Sequence, residues 1–240
     1  MIIIDESNFY NGDANWASEI KIDENETERL RNWAKVDGKY YYIKSNFNKY
    51  HEIMGQMIAE SLNLDTAKYG LCKKDNYTYY MSPNFKKDNI EYKRVYDLYD
   101  NVDEIKSDKL LEDIIKMTAL DLFMMQVDRT GYNYLIDNTN NRLAPLYDYS
   151  CSYFENSNSY THYNNYLFNI FLNNKLSLGE FKDKYEKIED YIEIINDTNY
   201  LKLLKEELSK YDVKLDSSNE RFYIDKINEG KKIVNKLYRA

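Results

Sequence analysis

Residues 128–148 constrain this chain most. Asp128 is followed five positions later by Asn133, and Asp148 lies twenty positions after Asp128. Between them, residues 134–136 and 142–144 are short apolar runs. They flank Asp137, Asn138, Thr139, Asn140 and Asn141, a stretch of turn formers. This reads as two short strands joined by a turn. A fold that accommodates the segment carries oxygen-bearing side chains on both sides of a hairpin, and Asp and Asn supply the oxygen donors that magnesium prefers. Taken singly, each of the three is an ordinary turn or cap residue. Together, with strands between them, they form the signal.

At 240 residues the chain is long enough for one large domain or two small lobes, and 43% hydrophobic residues supply a sizeable core. Much of that supply is aromatic: 26 Tyr and 9 Phe against 7 Gly and 2 Pro. A tyrosine-rich core must find partners for its hydroxyls. The abundance of Tyr, Asn, Lys and Ile reads first as compositional bias rather than as a special role for tyrosine. A net charge of −8 argues against wholesale binding to nucleic acid or an anionic membrane, and leaves room for a local basic pocket. Cys72, Cys151, His51 and His162 show no metal-ligand spacing, so no zinc site is expected. No apolar run is long enough to span a membrane. Ile2, Ile3 and Ile4 are apolar but lack the basic residues of a secretory signal. The expectation is a soluble protein of a reducing cytoplasm, with export by another route left open.

Residues 1–34 are polar, with a turn signal at Asn11-Gly12. Asp37-Gly38 then marks a hairpin between strands at about 29–35 and 39–44. Ile53, Met54, Met57, Ile58 and Leu62 recur at helical spacing and place a helix over about 49–62. Strands follow at 67–73 and 77–81, and Ser82-Pro83-Asn84 breaks the second. Leu110, Leu111, Ile114, Ile115, Thr118 and Leu122 form the stripe of a helix from an N-cap at Ser107 to about Gln126. Residues 151–165 read as a loop. The remainder, from about 166, reads as mostly helical, with a capping box at Ser177 and Glu180.

Phosphoryl transfer receives little covalent help from the protein, so its sites position and neutralise. They need a carboxylate near the nucleophile, metal ligands, and a cation on the phosphates. Protein kinases space the first two as Asp-x-x-x-x-Asn and add a later metal-binding Asp. On this pattern Asp128 orients the acceptor hydroxyl, while Asn133 and Asp148 hold the metal. Lys44, ending an aromatic strand, is the candidate phosphate cation. Glu52, eight positions on in the next helix, is its expected partner, with Glu60 as the rival. An exposed strand-end lysine and solvated helical glutamates are the ordinary alternatives. Ser150, Cys151 and Ser152 have neither a histidine nor a nucleophile elbow to support covalent catalysis.

At these residues the chain resembles the HipA-like kinases, a bacterial branch of the protein-kinase-like fold found in toxin–antitoxin systems. Leu143-Ala144-Pro145-Leu146-Tyr147-Asp148-Tyr149-Ser150 is similar to the family's Pro-x-Tyr-Asp segment. Asp128 and Asn133 match the catalytic loop, Tyr42-Ile43-Lys44 the ATP-lysine strand, and the His51-Glu52 helix the element that follows. The Asp128-Arg129 pair is similar to a motif of phosphoinositide kinases. The resemblance covers roughly 36–150. Two departures stand out: Thr130-Gly131-Tyr132 where family members often carry His, and no Gly-rich phosphate loop before Lys44.

The resemblance implies an α+β, bilobal protein-kinase-like fold, with a β-rich N-lobe over 1–84, a mostly helical C-lobe over 85–240, and little beyond a minimal kinase core. It implies a serine/threonine protein kinase using ATP and Mg2+, acting on a protein substrate and paired with an antitoxin. Ser7 or Ser18 is a candidate for self-phosphorylation. Two rivals are a pseudokinase or antitoxin-type binding module and a small-molecule or lipid kinase.

Overall fold

The computed structural model describes residues 1–13, 15–21, 29–44, 50–99, 104–126, 135–149, 152 and 187–239. Its first half is built on a sheet. Strands β2 (Trp33–Val36) and β3 (Lys39–Lys44) pair antiparallel, with Val36 opposite Lys39. Asp37 and Gly38, which join them, take φ of 49° and 76°. Two left-handed residues in a two-residue connection match the twist of a hairpin, and Asp-Gly supplies them at low cost. A second hairpin, β4 (Gly70–Lys74) and β5 (Tyr77–Pro83), turns through Asp75 and Asn76. The short strand β1 (Ile2–Ile3) joins β4 in parallel, giving the order β1-β4-β5-β3-β2.

The two faces of this sheet differ. Ile43 and Met81 are opposite one another and belong, with Ile4, Ala34 and Cys72, to a small core on one face. Lys44 and Tyr80, the next pair, point to the other face, because side chains alternate along a strand. Tyr80 there joins the main core, beside helix α2 (His51–Ser61). This alternation turns Lys44 toward α2. The first helix, α1 (Asn15–Ile20), covers the β2 edge of the sheet through Trp16 and Ile20, against Tyr10, Trp33 and Tyr40.

Helix α2 is buried continuously from His51 to Ala59. A helix buried on all sides lies inside a core, and α2, which carries the polar His51, Glu52 and Gln56 among its buried residues, packs between the sheet and the helical second half. That half comprises α3 (Asp108–Met124), α4 (Ile188–Asp197), α5 (Tyr200–Ser209) and α6 (Ser217–Arg239). The Ser107 hydroxyl accepts the Leu110 N–H at 3.2 Å, capping α3 as its sequence signalled. Met125 ends that helix in the left-handed region at φ 51°. A small antiparallel sheet of β6 (Tyr92–Arg94), β7 (Leu135–Asp137) and β8 (Arg142–Leu143) lies beside it. The Asp137 carboxylate accepts the Asn140 N–H at 2.9 Å and fixes the β7–β8 turn. The fold class is therefore α+β: a β-rich first part with one long helix, then a mostly helical remainder.

Several details differ from the sequence reading. The first hairpin strand begins at Trp33, not 29, and β1 and α1 fall in residues read only as polar. The second hairpin begins at Gly70, not 67. Its β5 strand continues through Pro83, which lies opposite Tyr41. The β4 register ends at Met81, so Pro83 has a ladder neighbour on one side only, a position where a missing N–H is tolerated. Strand β6 was not expected, because three residues paired to a distant segment leave no local pattern. Of the helical remainder, residues 187–239 follow the expectation; the 151–165 loop (apart from Ser152) and the Ser177 capping box lie outside the described residues.

Two glycines permit close packing, one between helices and one between β4 and Tyr211. A Cβ on Gly230 of α6 would stand 2.4 Å from the Phe123 carbonyl oxygen of α3, whereas one on Gly70 would meet the Tyr211 hydroxyl at 2.8 Å. Backbone cannot yield as a side-chain end can. Gly230→Ala is expected to destabilise by about 2 kcal/mol, as overpacking does. Gly70→Ala is expected to cost under about 1 kcal/mol. Urea unfolding of the two variants checks the ranking.

Candidate active site

Three charged side chains from distant segments meet where β3, α2 and the residues after β8 converge. Lys44 ends β3, and its side chain is 17% exposed. Its ammonium donates to Glu52 Oε1 at 2.6 Å and to Asp148 Oδ1 at 2.7 Å. Glu52 stands in the first turn of α2, 1% exposed, and its Oε2 accepts the Tyr149 N–H at 2.9 Å. Glu60, the rival partner, lies two turns further along and pairs with Lys68 instead, at 2.5 Å.

Asp148 arrives through an isolated parallel bridge between Thr66 and Leu146. The Ala67 N–H donates to the Leu146 carbonyl, and the Leu146 N–H to the Asp65 carbonyl, both at 2.9 Å. Asp148 itself takes a left-handed backbone, φ 62°. Its N–H donates to the Tyr69 hydroxyl at 3.3 Å, and its carbonyl accepts from the Gln126 side-chain amide at 2.7 Å. Beyond it, the Tyr149 ring lies so close to Gly55 of α2 that a Cβ there would stand 2.2 Å from it. Helix α2 thus seats directly on the residue that follows Asp148.

The electrostatics follow from burial. Burial penalises the Lys44 charge, but Tyr69, Glu52 and Asp148 outweigh it and hold the ammonium well above the usual lysine range. Burial pushes the Glu52 carboxyl up; Lys44 opposes that rise and Asp148 adds to it. Tyr69, beneath Lys44 with its ring centroid 5.7 Å from the ammonium, is driven well above the phenol range by burial and by Glu52. The lysine is therefore a fixed cation at neutral pH, and the tyrosine a neutral hydroxyl.

Lys44 and Asp148 open onto a cleft of approximately 710 Å³, of the size small-molecule sites commonly have. Glu52 does not line it. This separates an anchor from two groups that face a ligand. Among the described residues the walls carry Trp33, Tyr42, Phe85 and Tyr147, with six basic residues (Lys21, Arg29, Lys44, Lys86, Lys93 and Arg94) against two acidic ones, Asp97 and Asp148; Lys21 and Lys93 also pair with Asp88 and Glu91. A cationic cleft in a chain of net charge −8 suits a polyanion with an aromatic group. The donors fit a magnesium nucleotide: magnesium is usually held by one or two carboxylates plus substrate phosphates, and the half-open Asp148 carboxylate supplies that kind of oxygen.

Asp128 and Asn133 lie outside the described residues, as do Ser150, Cys151 and His162. His51 is buried, stacked on Phe222 at 6.0 Å. Tyr69, Gln126 and Gly55 were not singled out from sequence. Only Gln126 had a signal, its place two positions before Asp128.

No protein-family model matches the chain, and no curated protein matches it. Among solved structures, the Helicobacter pylori proinflammatory kinase CtkA is similar over 86% of this chain and 92% of its own, at 15% identity and a TM-score of 0.49. HipA of Shewanella oneidensis MR-1, in a toxin–antitoxin complex with HipB and operator DNA, is similar over 85% of this chain at 10% identity and a TM-score of 0.45; the chain spans 62% of that protein's length.

Proposed function

We propose that this chain is a Mg-ATP-dependent serine/threonine protein kinase of HipA-like type, with residues 1–84 and 85–240 as its two lobes. One observation carries the reading: the Lys44 ammonium is gripped by a buried glutamate from α2 and by Asp148 at the wall of a cationic cleft. A strand lysine anchored by a helix glutamate is how kinases hold a cation for nucleotide phosphates.

On this reading Lys44 binds phosphate oxygens, and Glu52 keeps it aimed. Asp148 and Asn133 are the magnesium ligands. Asp128 orients the acceptor hydroxyl and takes its proton. When bound, Mg-ATP supplies the transferable phosphoryl group and the charge neutralisation that transfer needs. The basic residues of the cleft wall stand in for the phosphate grip that a Gly-rich loop gives elsewhere. The protein acts in the cytoplasm, and an antitoxin partner rests on the sequence resemblance.

The test is incubation of purified protein with radiolabelled ATP and magnesium, alone and with cell extract. The wild type is expected to label itself or a protein acceptor on serine or threonine. Asp128→Ala is expected to reduce labelling by about 10³-fold, within the range that removing a proton-handling group costs. Full labelling by that variant would remove the assignment.

A further inference from the structure

We propose that Gln126 and Tyr69 are positioning residues, which clamp the Asp148 peptide from opposite sides and hold its carboxylate where a metal–nucleotide complex needs it. This deepens the phosphotransfer reading and rests on it.

Asp148 carries a side chain yet takes φ 62°, a region that residues with a Cβ avoid unless their surroundings impose it. No glycine precedes or follows it to ease the bend; its neighbours are Tyr147 and Tyr149. The conformation must therefore be held by contacts, and the polar groups at hand are specific. The Tyr69 hydroxyl accepts the Asp148 N–H, and the Gln126 amide donates to the Asp148 carbonyl. The next N–H, on Tyr149, is taken by Glu52. Three consecutive polar groups of one strained turn are thus each satisfied by a side chain. These side chains come from three different segments.

Gln126 stands out among them. It is fully buried, and its other polar atom, Oε1, has no hydrogen-bond partner among the described residues. A buried amide left half-satisfied costs stability. A methionine of similar shape would remove that unpartnered acceptor together with the one donor bond. A side chain kept for stability alone would gain little from remaining glutamine. What the amide uniquely does is hold the Asp148 carbonyl. Its position at the end of α3, two residues before Asp128, also ties that carbonyl to the start of the segment bearing Asp128 and Asn133.

The experiment uses the full chain and Gln126→Met, with Tyr69→Phe as a second variant that removes only the hydroxyl on the other side. Two readouts are taken. Amide hydrogen exchange at Tyr149 reports the clamp without any ligand. Calorimetry with magnesium and a non-hydrolysable ATP analogue reports metal–nucleotide affinity. Both variants are expected to keep a thermal midpoint within about 3 °C of the wild type, the spread of a near-neutral change in a chain this long. They are expected to exchange the Tyr149 amide faster. Affinity is expected to weaken about tenfold, as loss of an outer-shell partner does. Unchanged exchange and affinity in both variants would overturn the proposal. So would a lowered midpoint without faster exchange at Tyr149, which is the mark of a purely structural role. If the wild type binds no nucleotide and exchange still accelerates in the variants, the clamp stands and the phosphotransfer reading falls.

Discussion

Lys44→Met is expected to lose both activity and stability. Transfer should fall by about 10²–10³-fold, the cost of removing one preorganised charge from a reacting group. Stability should fall by about 3 kcal/mol, because the change leaves two carboxylates, one fully buried, without their shared cation. For a chain of 240 residues that lowers the thermal midpoint by roughly 6–12 °C. The deficit should depend on pH in a definite sense. The folded Glu52 pKa already lies above 4.5, so its contribution to stability is present below that value and lost as pH rises through the folded pKa. Removing Lys44 removes the group that opposes the rise, and the folded pKa climbs further. The variant should therefore approach the wild type in acid and diverge from it toward neutrality. The Lys44 charge itself is constant over this window. Its raised pKa keeps its contribution in place below 10.5, to be lost only as pH rises through the higher folded value. Urea unfolding at about pH 5 and pH 7.5 measures the difference. A deficit equal at both pH values would mean that Glu52 is not left buried and charged.

Gly55→Ala is the second large effect, and it acts through packing. The new Cβ would lie 2.2, 2.4 and 2.7 Å from three atoms of the Tyr149 ring. No contact of that length survives, so either α2 lifts or Tyr149 swings. Alanine gains about 1 kcal/mol over glycine inside a helix. Overpacking in a filled core outweighs that, and the net loss is expected to be about 2–3 kcal/mol. Lifting α2 or shifting the Tyr149 backbone also breaks the bond from the Tyr149 N–H to Glu52, and with it the aim of Lys44. Gly55→Ala should therefore lose more activity than Gly230→Ala, although both crowd a helix. Equal activity losses at matched stability would show that α2 is not coupled to the lysine through Tyr149.

The parts legible from sequence were those whose cause is local. Asp37-Gly38 specifies its own turn, Ser107 caps the residues beside it, and the α2 pattern repeats every turn. The choice of Glu52 over Glu60 was half legible. Both lie on the helix after Lys44, but only Glu52 is in its first turn, where the chain has just left β3. Tyr69 was invisible among 26 tyrosines. Its importance depends on the Thr66–Leu146 bridge, which joins positions eighty residues apart. Gln126 gave a weak signal by adjacency to Asp128, and nothing local marks it as a donor to residue 148. Pro83 reads as a breaker because proline usually is one; the register of the neighbouring strand, not the sequence, makes it tolerable.

Residues far apart along the chain are expected to gather around one metal–nucleotide complex. The most direct test is a crystal structure with magnesium and a non-hydrolysable ATP analogue. The expected result is the triphosphate in the cleft, its oxygens on Lys44, and magnesium between those oxygens, Asp148 and Asn133, with Asp128 nearby. A nucleotide bound away from Lys44, or Asn133 on the far side of the molecule from Asp148, would contradict the account.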